Sequence, residues 1–170
     1  MKTLVVFHSK SGTTRKVGEA IAKALGAEVD EIIPINAKPL YRPDGRMDEI
    51  EMMTLVLQVM IKWKTTLVPA IKNPSDYDLV VVGTPTWAGN LSAPVRSYLS
   101  AHASEFKKVA FFCTMGTSEK YKVESQTMKV FGQMERLCAS PVLTLAVSQE
   151  EADSERAQKA IKEFAAKIKK

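Results

Sequence analysis

Five short runs of apolar, β-branched and aromatic residues recur along the chain: TLVVFH (3–8), AEVDEIIPI (27–35), DLVVVGT (78–84), KVAFFCT (108–114) and PVLTLAVS (141–148). Each is bounded by turn formers or charge, as strands are. Between them lie segments of helical period. Val17, Ala20, Ile21, Ala24 and Leu25 fall on one helix face, as do Thr127, Val130, Phe131, Met134, Leu137 and Cys138. Ala157, Ala160, Ile161, Phe164 and Ile168 repeat the pattern near the end of the sequence. Ser92, followed by Pro94, predicts the N-cap and first turn of a further helix. Strand and helix in alternation fold as a parallel sheet with helices on both faces.

Strand polarity orders that sheet. The first, third and fourth runs are almost uniformly apolar, which suits strands covered on both sides. The second carries Asp30 and Glu31, and the fifth carries Thr144 and Ser148, which suits the edges. With right-handed crossovers, these constraints give an α/β fold of three layers, doubly wound on a five-stranded parallel sheet of order 2-1-3-4-5. The switch point lies between strands 1 and 3, and ligands bind there at the carboxyl ends of the strands. The loops concerned are SKSGTT, TPTWAGN and TMGTSEKY. At 170 residues, with no linker or repeat, a single domain over residues 1–170 is expected.

Composition narrows the class. With 45% hydrophobic and 25% charged residues, the chain is an ordinary globular one. No signal peptide is legible, and no apolar run reaches the about 20 residues a membrane span needs, so the expected location is cytoplasmic. Cys113 and Cys138 form neither a disulfide framework nor a metal-ligand spacing, so no metal is expected. The formal charge of +5 favours an anionic ligand. A nucleic-acid partner is not expected.

SKSGTT sits at the mouth of the first helix. Free N–H groups and the helix dipole hold a phosphate well there. Ser9, Ser11, Thr13 and Thr14 add hydroxyl donors, and Gly12 lets the backbone approach closely. Such a loop wraps a phosphate monoester with neutral donors alone, although a serine-rich helix cap would look similar. It has neither the paired glycines and Lys-Ser/Thr of a Walker loop nor a GxGxxG. Neither cysteine has an Arg six residues on. A phospho-acceptor aspartate is missing from the end of strand 3, which reads Gly83-Thr84. GTPTWAGN puts Trp87 just beyond the central strand, good placement for stacking on a planar ligand.

Taken together, SKSGTT after strand 1 and GTPTWAGN after strand 3 resemble the flavodoxin family, and the resemblance runs the length of the chain. It implies noncovalent FMN. By similarity Ser9, Lys10, Ser11, Gly12, Thr13 and Thr14 hold the phosphate. Pro85, Thr86, Trp87, Ala88, Gly89 and Asn90 flank the flavin ring, and Thr114, Met115, Gly116 and Thr117 line its other side. No long insertion interrupts the fifth strand, as in the short-chain form. Two features depart from the electron carriers of the family: they are usually acidic, and the third loop here reads TMGTSEKY, with Glu119 and Tyr121 late in it. No side chain reads as a proton-transfer catalyst. The implied role is cytoplasmic electron transfer, either as an FMN-dependent NAD(P)H oxidoreductase of quinone-reductase type or as a single-electron carrier. A flavin-free binding module on the same fold is a third alternative. The redox partner is then another protein or a small-molecule acceptor. The positive charge favours two-electron reduction.

Residues 36–77 are longer than one crossover helix requires. YRPDGR reads as a turn around Pro43 and Gly45. MDEIEMMTLVLQVMIKW (47–63) reads as a helix whose polar residues Glu51, Thr54, Gln58 and Lys62 form one narrow stripe. A helix apolar nearly all round is buried from several sides. Packing on the sheet, a homodimer contact and a wall of the ligand pocket all fit that pattern. His8 and Cys113 end strands near the expected site. Both read as structural, the thiol because no cation is near to lower its pKa.

Overall fold

A computed structural model describes residues 1–38, 40–41, 46, 48–117 and 119–170. The turn expected at Pro43 and Gly45 lies outside the described residues. Parallel strands β1 (Thr3–Phe7), β2 (Glu28–Glu31), β3 (Leu79–Trp87), β5 (Val109–Met115) and β6 (Thr144–Ser148) form a sheet of order β2-β1-β3-β5-β6. This is the expected doubly wound order. One short strand is added: β4 (Asn90–Leu91) pairs antiparallel with the end of β3.

The alternation of apolar side chains across the central strands builds two cores. Val5, Phe7, Val81 and Phe112 face helices α1 (Thr13–Leu25) and α5 (Glu155–Ile168). Leu4, Val6, Val80, Val82 and Phe111 face α3 (Ala93–His102) and α4 (Lys120–Glu135). At Gly83 the ring of Phe112, its register partner on β5, lies over the strand. A Cβ there would lie 2.0 Å from Cζ of Phe112, so only glycine fits under that ring.

The helices start and stop for identifiable reasons. Ser154 caps α5 by accepting the Ala157 amide at 3.1 Å. Ser92 does stand at the N-cap of α3, but its hydroxyl is engaged at 3.0 Å with the Thr84 hydroxyl of β3 and makes no cap bond. Its role is to tie the helix to the central strand.

Strand β2 is shorter than the run AEVDEIIPI suggested. After Glu31 the chain leaves the sheet, and Pro34 forms an isolated antiparallel bridge with Leu67. Asp30 is buried rather than solvated: its Oδ2 accepts the Ile71 and Lys72 amides, both at 2.9 Å. The acid that marked an edge strand therefore anchors the returning end of the 36–77 insert.

Within the insert, α2 (Glu49–Met60) begins at Asp48, whose carboxylate accepts the amides of Ile50 and Glu51. It ends at Lys62, in the left-handed region at φ 54, where the Trp63 amide reaches back to the Gln58 carbonyl at 2.8 Å. Burial from several sides is not what forms. Leu55 faces the protein, while Ile50, Met53, Leu57 and Met60 point to solvent. A helix in the margin of a small domain has one neighbour, so one side is covered.

Candidate functional site

The carboxyl ends of β1, β3 and β5 open onto a cavity of about 290 Å³. That is the lower end of the range for small-molecule clefts, about 300–1,000 Å³. The three loops expected to form the site all reach it. Ser11 and Thr13 come from the first, Pro85, Thr86, Trp87 and Ala88 from the second, and Thr114, Met115, Gly116 and Thr117 from the third. A larger groove, about 720 Å³, lies between α1 and α5 under an alanine-rich floor and a lysine rim. None of its lining comes from the three loops at the carboxyl ends of β1, β3 and β5 other than the first turns of α1, so the smaller cavity is the functional candidate.

The first loop presents open donors, the form an anion cradle takes. Gly12 precedes α1 at φ 97, a conformation that L side chains rarely adopt, and nothing lies within 4 Å of where its Cβ would be. The turn points the helix N-terminus outward. Ser9 Oγ accepts the Arg15 amide at 3.1 Å, while the amides of Ser11, Gly12, Thr13 and Thr14 meet no acceptor among the described residues. Neither cation of the region is free. Lys10 Nζ sits 2.6 Å from Glu51 of α2 and also donates to the Lys38 carbonyl, and Arg15 forms a two-oxygen contact with Glu31 at 2.8 Å. What remains for an anion is neutral hydroxyl and amide donors. Lys10 belongs to the cradle through its backbone position, while its side chain braces the insert.

Thr14 has a different place from its neighbours. It is buried, and its hydroxyl lies 2.8 Å from that of Thr114. That bond joins the first loop to the third at the base of the site.

The second loop is a β-hairpin rather than an irregular loop. β3 continues to Trp87 and turns at Ala88 (φ 47) and Gly89 (φ 68) into β4. Positive φ at both central residues defines a two-residue primed turn, whose twist matches the strands it joins. Trp87 is thereby fixed at the end of a strand, half-buried against the cavity. Asn90 and Gly89 do not line it. Asn90 donates to the Ala88 carbonyl at 2.8 Å and accepts from Gln133 at 3.1 Å, so it secures the turn. Thr86 Oγ1 is buried without a nitrogen or oxygen partner and faces the Cys113 thiol.

Sequence reasoning missed three lining residues, Val56, Gln126 and Gln149. Gln149 lies one residue beyond β6, so the strand-end rule applied to the fifth strand would have found it. Val56, with Met52, forms the α2 wall of the cavity, one of the roles the apolar pattern of that helix allowed; the tertiary path of the insert decides which of its residues face inward. Gln126 reaches in from α4 with no local signal.

The remaining titratable groups near the site are structural. His8 Nδ1 donates to the Ile32 carbonyl at 2.9 Å, and burial holds its pKa down to about 4. Burial pushes the Cys113 thiol up to about 12, so it stays protonated and inert. Glu119 of the third loop pairs with Lys122 at 2.8 Å. Among the described residues there is no cluster able to hold a metal ion, and no helix is long and apolar enough to cross a membrane.

A doubly wound sheet with a neutral anion cradle, an aromatic hairpin and a hydroxyl-lined third loop at one switch point defines a nucleotide-type cofactor fold. A family model described as flavodoxin matches residues 2–153, and the chain belongs to the flavodoxin family. Solved structures agree on the fold. A flavoprotein from Lactobacillus acidophilus in complex with FMN is 22% identical, covering 89% of this chain and 96% of its own, with a TM-score of 0.64. A flavoprotein from Bacteroides eggerthii is 21% identical over 99% and 98% of the two chains, at 0.68. Oxidised flavodoxin 1 from Bacillus cereus is 16% identical over 99% and 97%, at 0.56. A curated relative, an NAD(P)H dehydrogenase (quinone) of Syntrophus aciditrophicus, is 25% identical over 117 residues, 69% of this chain. The chain spans 56% of that relative's length.

Proposed function

We propose that residues 1–170 form one FMN-binding domain that works as an FMN-dependent oxidoreductase in the cytoplasm, passing electrons from NAD(P)H to a quinone-like acceptor. The observation that carries FMN is the convergence of the open-amide cradle, Trp87 and Thr114–Thr117 on one cavity. When bound, FMN supplies hydride acceptance and electron release. The chain's own residues do the rest. Ser11, Thr13 and the amides at the start of α1 hold the phosphate. Trp87 and Thr117, which line the same cavity, would contact the ring. Met52 and Val56 give the cavity an apolar wall that suits an uncharged aromatic acceptor and limits water. The family membership and the quinone-dehydrogenase relative support this reading.

The test is direct. Purified protein titrated with FMN is expected to quench the flavin's fluorescence, and the loaded protein is expected to oxidise NAD(P)H with a soluble benzoquinone. Failure to bind FMN would remove the redox reading altogether. Tight FMN binding without NAD(P)H oxidation, but with rapid reduction by a reductase protein, would assign the chain as a single-electron carrier instead.

A further inference from the structure

The outer face of α2 carries a run of exposed apolar side chains. Ile50 is 73% exposed, Met53 72%, Leu57 58% and Met60 68%, followed by Ile61 and Trp63 at 55% each. Together they leave roughly 700 Å² of mostly apolar surface open, more than the about 300–600 Å² of a typical monomer's largest patch and close to the about 800 Å² that each partner gives a standard interface. The inner face of the same helix is already engaged, through Leu55 in the core, Met52 and Val56 on the cavity and Glu51 on Lys10.

We infer that this face pairs with its own copy in a second chain, the two α2 helices packing antiparallel about a two-fold axis near Thr54 and Leu55. The spacing of the stripe carries the inference. Ile50, Met53, Leu57 and Met60 are separated by three, four and three residues. Read from either end, the pattern is the same. An antiparallel partner therefore sets Ile50 against Met60 and Met53 against Leu57, which is the self-complementarity a two-fold interface demands. The charges obey the same symmetry. Glu49 is exposed at the N-terminal end, and Lys62 and Lys64 are exposed just past the C-terminal end. Antiparallel pairing brings each acid to the partner's bases and opposes the two helix dipoles favourably. The centre is free of polar penalty. Thr54 is the exposed polar residue there, and its hydroxyl already donates to the Ile50 carbonyl at 2.8 Å. It can be covered without leaving an unsatisfied group.

Sedimentation velocity over a dilution series from tens of micromolar downward tests this on the full chain. The wild type is expected to sediment as two chains at the high end. Met53→Glu with Leu57→Glu, both at exposed positions outside the cavity, should weaken association by about 100-fold or more while far-UV circular dichroism and FMN affinity stay unchanged. Glu49→Lys alone should also weaken it, and adding Lys62→Glu and Lys64→Glu should restore it. A wild type that stays a single chain throughout would overturn the inference, as would a dimer that survives the paired glutamates. Failure of the full charge reversal to restore association would overturn the antiparallel arrangement. A single-chain wild type that binds phosphatidylglycerol vesicles through this face would assign it to lipid instead.

Discussion

Replacing Thr14 by Val should uncouple the first and third loops while leaving the outer donors of the cradle in place. The two hydroxyls, Thr14 Oγ1 and Thr114 Oγ1, are 2.8 Å apart and both residues are buried. Valine keeps the shape and removes the hydroxyl, so the partner hydroxyl loses its neighbour. An unpaired buried hydroxyl costs about 1–3 kcal/mol, whereas replacing both partners by apolar groups of the same shape is close to neutral. Thr14→Val and Thr114→Val should each lower stability by that amount, and the double variant by clearly less than the sum. Urea unfolding of cofactor-free protein measures the cycle. Thermal scans should show about 2–4 °C per kcal/mol for a chain of this size. A second readout separates bracing from binding. Thr14→Val should weaken FMN and riboflavin to a similar degree, because its hydroxyl is engaged inside the protein. Ser11→Ala removes a donor that lines the cavity, so it should weaken FMN by about 10–150-fold and hardly touch riboflavin. Strict additivity of the two valines would refute the coupling between the loops. Equal losses of FMN and riboflavin in Ser11→Ala would refute phosphate recognition by the cradle.

His8 gives a pH dependence with a defined sign. Its folded pKa of about 4 lies below the ordinary 6.5, so the stability it contributes is complete above 6.5 and is lost as pH falls toward 4, by about 3 kcal/mol in all. His8→Asn should flatten that part of the urea-midpoint profile, and an unchanged slope would exclude His8 as its source. Trp87 fluorescence should be quenched on FMN binding, and Trp87→Phe should remove most of the quenching, leaving the exposed Trp63 emission. In a redox titration the loaded protein should take up both electrons in one step at a potential tens of millivolts above that of an acidic flavodoxin, since two unit charges about 10 Å apart interact by about 1.7 kcal/mol at an effective dielectric of 20. Two well-separated one-electron steps would contradict that expectation.

Much of this molecule is legible in its sequence because its signals are local. Apolar runs such as LVVF and VAFF name central strands, and the position of SKSGTT after the first run places it at the mouth of α1. Other features depend on what packs beside them. Asp30 looks like a solvated edge residue until the returning insert brings the Ile71 and Lys72 amides to it. TPTWAGN looks like a loop because Ala88, a residue without a turn signature, occupies a positive-φ position. The helix at 49–60 carries apolar residues on both sides, and hydrophobicity alone cannot distinguish a side that faces a core from one that faces solvent. Gln126 was invisible for the simplest reason: its part in the site depends on where α4 crosses the hairpin.

On the proposed reading, the charge arrangement lets a chain of formal charge +5 bind a phosphate without a cationic clamp. The nearest cations are held by carboxylates before any ligand arrives, Lys10 by Glu51 and Arg15 by Glu31. The Lys10 pair is almost fully enclosed, so removing Glu51 would strand an ammonium beside the cradle and open the link to α2 together. A free lysine there would attract any anion of the right size. A set of neutral donors fixed at a helix mouth attracts only what fits its geometry, because each hydrogen bond requires its own alignment. The ion pairs thus do two things at once. They fasten the insert beside the site, and on the proposed reading they would leave recognition of the phosphate to hydrogen-bond geometry rather than to bare charge.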